Sequence, residues 1–122
     1  MTLQPRKVSA DQRLATYGTL APGEINHHML VDLEGRWLDG VVYGRRHASG
    51  WGAALGFPGL ELDVNGDAVA VRVLESPDLP ARWSKLDEFE GPGYERVIAT
   101  VFTADGAIEA SIYSLSDNGR GA

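Results

Sequence analysis

The strongest constraint on the fold is a strand-like segment over residues 35–46 that carries glycine at positions 35, 40 and 44. Glycine inside a strand weakens it and commonly marks a bulge or a sharp bend. Three such positions predict a strongly bent strand, as in a small closed sheet. The whole chain has 15 glycines among its 122 residues, well above the usual ~7%, which predicts many turns and close backbone contacts.

Other segments show the apolar patterns and turn signals of strands. Residues 13–17 form the first of them. Residues 60–64 and 68–74 flank Asn65-Gly66, a pair typical of a type I′ turn because both central residues need a positive φ. These two segments are therefore predicted to form a hairpin. A second hairpin is predicted over residues 94–103 and 107–115, around a turn at residues 104–106.

Two segments are predicted to be helical, and residues 47–59 between strands are predicted to be irregular. The first helix covers residues 24–34, with these apolar side chains on one side: Ile25, Met29, Leu30 and Leu33. The second covers residues 79–90 and ends at Gly91 and Pro92, which are common stop signals. Five or six strands with two helices define an α+β fold, and the glycine bends favour a small barrel over an open sheet.

Composition limits the possible functions. The chain contains 0 cysteines, which excludes disulfides, thiolate metal sites and nucleophilic cysteine chemistry. A net charge of -6 argues against a nucleic-acid partner. The start lacks the apolar run of a signal peptide, and no stretch approaches the roughly 18 apolar residues of a membrane span. We expect no membrane partner and a cytoplasmic location. We also expect one domain over residues 13–116, between a flexible N-terminal arm (1–12) and a flexible tail (117–122).

Glu90 is the candidate acid/base residue because a carboxylate is unfavourable at its position. At about 100° per residue, Leu79, Trp83 and Leu86 form an apolar stripe along the second predicted helix. Glu90 falls inside this stripe, and Asp87 lies at its border. Burial and the partial negative charge of a helix C-terminus both raise a carboxyl pKa, which suits acid/base work. In the structural alternative, the helix ends early and Glu90 turns to solvent, or Glu90 pairs with Arg96.

The candidate binding loop is Tyr17-Gly18-Thr19-Leu20, at the end of the first strand. Gly18 permits a tight turn and a close ligand approach, and successive N–H groups in such a turn can bind an anion. A plain strand-to-loop turn is the alternative.

Tyr94 and Arg96 share one face of the strand that follows Glu90. Both residues could line a site near Glu90. Alternatively, Arg96 is simply the counter-ion of Glu90. His27 and His28 are adjacent and have no third ligand nearby, so no metal site is expected.

Two segments together resemble the gamma-glutamylcyclotransferase-like family. The first is Tyr17-Gly18-Thr19-Leu20, continued as Ala21-Pro22-Gly23 and Asn26-His27. The second is Leu86-Asp87-Glu88-Phe89-Glu90-Gly91, followed by Tyr94-Glu95-Arg96. The resemblance covers roughly residues 13–115, and the nearest branch is the one that acts on gamma-glutamylamines. The chain stops soon after the last predicted strand, so a C-terminal segment that covers the pocket in some relatives is expected to be missing.

The resemblance implies a small mixed β-barrel of five to six strands with two helices. It also implies that the substrate's α-amine attacks its own γ-carbonyl, which releases 5-oxoproline and an amine or amino acid. It places the acid/base residue on Glu90 and the substrate-binding positions on Tyr17, Gly18, Thr19, Leu20 and Tyr94.

The resemblance implies no cofactor and no metal, and a small-molecule γ-glutamyl substrate. We expect a monomer or homodimer. Two other classes of function stay open from the sequence: a non-catalytic binding module for a small γ-glutamyl or amine ligand, and a protein-interaction domain.

Overall fold

The computed structural model of the protein describes residues 8–17, 27–47, 59–91 and 93–115. Within them the chain forms six strands and one α-helix. The strands are β1 (Arg13–Thr16), β2 (Arg36–His47), β3 (Gly59–Leu62), β4 (Asp67–Glu75), β5 (Tyr94–Thr103) and β6 (Gly106–Leu115), and the helix is α1 (Trp83–Glu90). Short 3-10 turns cover Ala10–Gln12, His27–Met29 and Leu79–Ala81. No helix among the described residues has the length and apolar character to cross a membrane.

Five of the strands close into a small barrel in the order β2-β4-β1-β6-β5. Strand β1 pairs antiparallel with β4 and parallel with β6, so the barrel is mixed. Strand β5 returns to β2 through the pair Val41 and Phe102, and β3 adds to the end of β2 as a sixth strand. The predicted α+β fold with a small mixed β-barrel is thereby confirmed.

Gly40 shows why β2 needs glycine where the barrel closes. A Cβ at this position would lie 2.4 Å from Val101 Cγ1 and 3.2 Å from the carbonyl oxygen of Phe102. Only glycine lets β2 and β5 approach this closely beside the pair that joins them. One of the three glycines that predict a closed sheet therefore acts directly at the closure.

The hairpin predicted over residues 60–74 is wrong, although both of its strands exist. Strand β3 pairs with residues 44–47 of β2, and β4 pairs with residues 36–44, both antiparallel. The two strands therefore run in the same direction and cannot form a hairpin with each other. Because β2 is 12 residues long, it supplies a partner for both segments, and this long-range pairing overrides the local turn signal.

The turn between β3 and β4 also differs from the predicted type I′ turn. The Gly66 amide donates to the Asp63 carbonyl at 2.8 Å, and the Asn65 amide donates to the Asp63 carboxylate at 2.9 Å. Neither Asn65 nor Gly66 has the positive φ that a type I′ turn requires. The side chain of Asp63 stabilises a different turn, in which Asn65 and Gly66 are not the two central residues with positive φ that were predicted.

The final hairpin is confirmed, whereas both predicted helices change. Strands β5 and β6 pair continuously from Tyr94 and Leu115 to Thr103 and Gly106. The helix predicted over residues 79–90 divides into a 3-10 turn at Leu79–Ala81 and α1 at Trp83–Glu90. The helix predicted over residues 24–34 forms only a 3-10 turn at His27–Met29 within its described part. Residues 24–26 of that prediction lie outside the described residues.

Hydrophobic side chains form one cluster inside the barrel and a second between its outer wall and α1. The inner cluster consists of Ala15, Val42, Leu60, Val69, Val71, Val73, Ala99, Val101, Ala110 and Ile112. The outer cluster consists of Leu14, Leu30, Leu74, Leu79, Trp83, Leu86 and Tyr113. Neighbours such as Ile112 and Tyr113 belong to opposite clusters because successive strand side chains point to opposite faces. The outer cluster fixes α1 against the barrel.

Residues 10–12, predicted from the sequence to belong to the N-terminal arm, are hydrogen-bonded to the domain. Their three carbonyl groups accept, in chain order, from Ser111 Oγ at 2.8 Å, Trp83 Nε1 at 2.9 Å and the Ser76 amide at 2.8 Å. Packing thus extends upstream of Arg13. The domain bounds of 13–116 stay a prediction, and the predicted tail over 117–122 lies outside the described residues.

Candidate active site

Glu90 is the last residue of α1 and lies on the helix face that packs against the barrel. Leu86, one turn earlier, is fully buried, and Trp83 is buried one turn before that. Glu90 is partly buried, whereas Glu88 and Phe89 beside it are exposed. The helix therefore keeps the register predicted from its apolar stripe, and it does not end before Glu90.

Burial raises the pKa of Glu90 to about 7, because removal from water disfavours the charged carboxylate. A shielded carboxyl group with this pKa can accept and donate a proton at neutral pH.

Three tyrosines lie near enough to Glu90 for its charge to act on them. Tyr17 follows β1 and packs on the inner cluster, Tyr94 begins β5 beside the outer cluster, and Tyr113 is part of the outer cluster. Burial is the main cause that raises the pKa of each tyrosine, and the nearby Glu90 charge raises each pKa further. The fold thus brings together three of the predicted site residues: Tyr17, Glu90 and Tyr94.

The hydroxyl protons of Tyr17 and Tyr113 are directed away from Glu90. Tyr17 donates to the backbone carbonyl of Tyr113 at 2.6 Å, and Tyr113 donates to Asp87 Oδ1 at 2.6 Å. Neither proton can then stabilise the Glu90 carboxylate as a hydrogen-bond donor. This agrees with burial as the cause of the raised pKa of Glu90.

Arg96 pairs with Asp87 and not with Glu90, so the counter-ion alternative is wrong. Its Nε and Nη2 donate to the two Asp87 carboxylate oxygens at 2.9 and 3.2 Å. These hydrogen bonds hold the pKa of Asp87 below its ordinary value. The pattern of the sequence placed Asp87 only at the border of the apolar stripe. The spacing of three residues between Asp87 and Glu90, which places them side by side on a helix, is the sequence signal that could have identified Asp87.

Tyr113 is the other site neighbour that the sequence pattern did not single out. It lies directly opposite Arg96 in the pairing of β5 with β6, so both side chains reach Asp87 from adjacent strands. This pairing depends on the hairpin register, which the sequence alone does not specify at the level of single residues.

The predicted binding loop is represented here by Tyr17 alone, because Gly18, Thr19 and Leu20 lie outside the described residues. Across the part of the chain that the structure describes, no group of three or more His, Asp or Glu side chains is placed to hold a metal ion. The described site is therefore a shielded carboxyl group with three tyrosines and a neighbouring aspartate–arginine pair.

Comparison with known proteins identifies the family that combines this fold with this motif pair. Residues 14–121 match the family described as Gamma-glutamyl cyclotransferase, AIG2-like. The match covers most of the chain, and the chain belongs to this family. Membership supports a function of the cyclotransferase type. Among curated proteins, none matches the chain in sequence.

Several solved structures share the fold. YkqA from Bacillus subtilis is 26% identical over 86% of this chain and 36% of its own length, with a TM-score of 0.68. An AIG2-like protein from Mus musculus is 21% identical over 86% of this chain and 77% of its own length, with a TM-score of 0.67. A protein from Arabidopsis thaliana is 19% identical over 94% of this chain and 66% of its own length, with a TM-score of 0.66. The chain therefore spans little more than a third of YkqA.

Proposed function

We propose that the protein is a cyclotransferase that converts a γ-glutamyl amide into 5-oxoproline and an amine or amino acid, with Glu90 as general acid/base. The observation that carries the proposal is the shielded Glu90 carboxyl group at the end of α1, whose pKa burial raises to about 7. The motif resemblance assigns the family's acid/base glutamate to this residue, and the chain belongs to that family.

The proposed reaction needs a group that moves protons within one substrate molecule. The α-ammonium group loses a proton to the Glu90 carboxylate and then attacks the γ-carbonyl carbon, which forms the five-membered ring. The attacking nitrogen loses two protons in becoming the ring N–H, and the leaving nitrogen gains two as it departs as an ammonium ion. Glu90 therefore shuttles protons with no net change. Nucleophile and electrophile belong to one molecule, so proximity lowers the barrier further.

Binding is assigned in this proposal to the loop that begins at Tyr17. Backbone N–H groups of Gly18, Thr19 and Leu20 would hold the substrate carboxylate or the developing oxyanion. Tyr17 and Tyr94 would line the pocket beside Glu90, which agrees with their proximity to its charge. The reaction as written needs no metal and no cofactor.

The test is the release of 5-oxoproline from a panel of γ-glutamylamines and γ-glutamyl dipeptides, measured by mass spectrometry. The gamma-glutamylamines come first, since the motifs resemble that branch. Glu90→Gln keeps the side-chain shape but removes the base, and we expect roughly a 10²–10⁴-fold loss of kcat. Glu88→Gln is the matched control, because Glu88 is an exposed residue of the same helix. Binding without release from any compound would instead favour a non-catalytic binding module.

The pH profile tests the role of Glu90 independently of the substrate's identity. The base is ionised only above its pKa, so kcat/KM is expected to rise with pH through about 7. A profile with no ionisation above pH 5 would contradict a raised pKa at the catalytic base.

A further inference from the structure

Arg96 is held in one orientation by two side chains of α1, Asp87 and Trp83. Its guanidinium edge makes two hydrogen bonds to Asp87, at 2.9 and 3.2 Å. Its Cζ lies 4.4 Å from the centroid of the Trp83 ring, so the cation also packs on an aromatic face. A fork-shaped pair with an added cation–π contact is geometrically defined, unlike an ordinary surface ion pair.

Asp87 and Glu90 occupy the same last turn of α1. Residues three apart lie side by side on a helix, so a free Asp87 charge would disfavour ionisation of Glu90. Asp87 is instead bound by Arg96 and by the Tyr113 hydroxyl, which donates at 2.6 Å. Strands β5 and β6 thus each contribute one group that holds this carboxylate.

We propose that Arg96 is a positioning residue that acts through Asp87: it balances the Asp87 charge beside Glu90 and secures the last turn of α1 to the barrel. A role in catalysis rests on the proposed cyclotransferase function, whereas the charge balance itself does not. The proposal concerns residues on three elements, since Asp87 lies on α1, Arg96 on β5 and Tyr113 on β6.

The other groups that face Glu90 are compatible with this charge balance. Burial raises the pKa of Tyr17, Tyr94 and Tyr113, so all three are neutral near pH 7. Hydrogen bonds from Arg96 lower the pKa of Asp87, so it is charged there. Burial raises the pKa of Glu90.

The test is the pKa of the Glu90 carboxyl group, measured by NMR on protein labelled with ¹³C at glutamate carboxyl carbons. The signal that Glu90→Gln removes is assigned to Glu90. Arg96→Gln leaves Asp87 unbalanced and should raise the Glu90 pKa by about 0.5–1, as for one charge near a protein surface. Asp87→Asn leaves Arg96 unbalanced and should lower it by a similar amount. The double variant should return to within about 0.3 of the wild-type value.

Opposite shifts in the two single variants support the proposal. Shifts in the same direction, or no shift, overturn it, because a merely structural pair would only loosen the helix end.

Tyr113→Phe is the matched control, since it removes a hydrogen bond to Asp87 without changing any charge. It should leave the Glu90 pKa within about 0.3 of wild type. If Arg96→Gln does not fold, Asp87→Asn must still lower the pKa relative to Tyr113→Phe; equal values for these two variants overturn the proposal.

The NMR titration needs no turnover, so it separates this inference from the proposed function. If γ-glutamyl compounds are substrates, the rising limb of kcat/KM must shift with the NMR pKa in each variant. If the enzyme is active but the rising limb of its kcat/KM profile has the same pH position in all variants, the inference is contradicted and the cyclotransferase function is not. Opposite NMR shifts in a protein with no turnover support the charge balance and contradict the proposed function.

Discussion

Two carboxyl groups one turn apart on α1 have opposite electrostatic environments. Burial raises the pKa of Glu90 to about 7, whereas hydrogen bonds from Arg96 and then Tyr113 lower the pKa of Asp87 against the effect of burial. Glu90 can therefore exchange a proton near neutral pH, while Asp87 stays ionised as a structural anchor. Such separation of two neighbouring carboxyl groups is a common arrangement at acid/base sites.

Glu90→Gln is expected to stabilise the protein at high pH. The pKa of Glu90 is raised from 4.5 to about 7 on folding, so folding favours its protonated form. Its contribution to stability is complete below about pH 4.5 and is lost as pH rises through about 7. Urea unfolding at pH 8 should give a free energy of unfolding roughly 1–3 kcal/mol higher for the variant than for wild type, with little difference at pH 4.

Glu88→Gln serves again as the control, because the exposed side chain gains no comparable burial penalty on folding. Equal stability of wild type and Glu90→Gln at both pH values would show that Glu90 is not shielded from water.

The single α-helix of the described residues depends on its environment for stability. It has eight residues, too few for an isolated helix to be stable in water, so packing on the outer cluster must hold it. The helix ends at Gly91, whose φ of 79° and ψ of -176° lie in a region that is essentially restricted to glycine. The Gly91 amide still donates to the Asp87 carbonyl at 3.0 Å, so the chain leaves the helix immediately after Glu90.

Gly91→Ala should destabilise the protein and also disturb the site. Among the described residues other than its chain neighbours, no atom lies within 4 Å of a Cβ built at Gly91, so the cost comes from backbone strain, about 1–3 kcal/mol in urea unfolding. Gly106→Ala is the matched control, because Gly106 also has a positive φ and open space around its Cβ. Only Gly91→Ala should change the Glu90 pKa; an equal change in both variants would show that the helix end does not position Glu90.

Local sequence patterns predicted which segments form strands and helices better than they predicted which strands pair with each other. The stripe of Leu79, Trp83 and Leu86 placed Glu90 on the correct helix face, because 3.6-residue periodicity is a local property. The signal at Asn65-Gly66 predicted a hairpin that does not form, because β2 pairs with both flanking strands. Pairing across long sequence distances depends on the closed sheet as a whole and leaves little trace in a short window of sequence.

The whole molecule is one mixed sheet whose two faces carry two different hydrophobic clusters. The inner face fills the barrel, and the outer face binds α1. Tyr17 packs on the inner cluster and Tyr94 on the outer cluster, and the Glu90 charge raises the pKa of both, so the candidate site draws residues from both clusters. Barrel closure and site assembly should therefore be linked.

The closure can be tested by exchanging volume between β2 and β5. Gly40→Ala brings a Cβ to 2.4 Å from Val101 Cγ1 and should cost about 1–3 kcal/mol in urea unfolding. Val101→Ala should also destabilise, since it leaves a cavity in the core. The double variant should be less destabilised than the sum of the two by about 1 kcal/mol, because the second change makes room for the first.

Strict additivity in this double-mutant cycle would show that Gly40 and Val101 do not limit the closure. Loss of 5-oxoproline release in parallel with destabilisation would agree with the proposed link between barrel and site.

The sequence by itself determined the fold class, the approximate extent of most strands, and the helix face on which Glu90 lies. These features follow from local periodicity, from glycine in strand interiors and from two motifs that mark the family. Only the tertiary structure decided that Arg96 pairs with Asp87, that Tyr113 joins them and that β3 pairs with β2. Each of those contacts joins residues on different elements, and their distances depend on barrel closure and strand register, which no short stretch of sequence encodes.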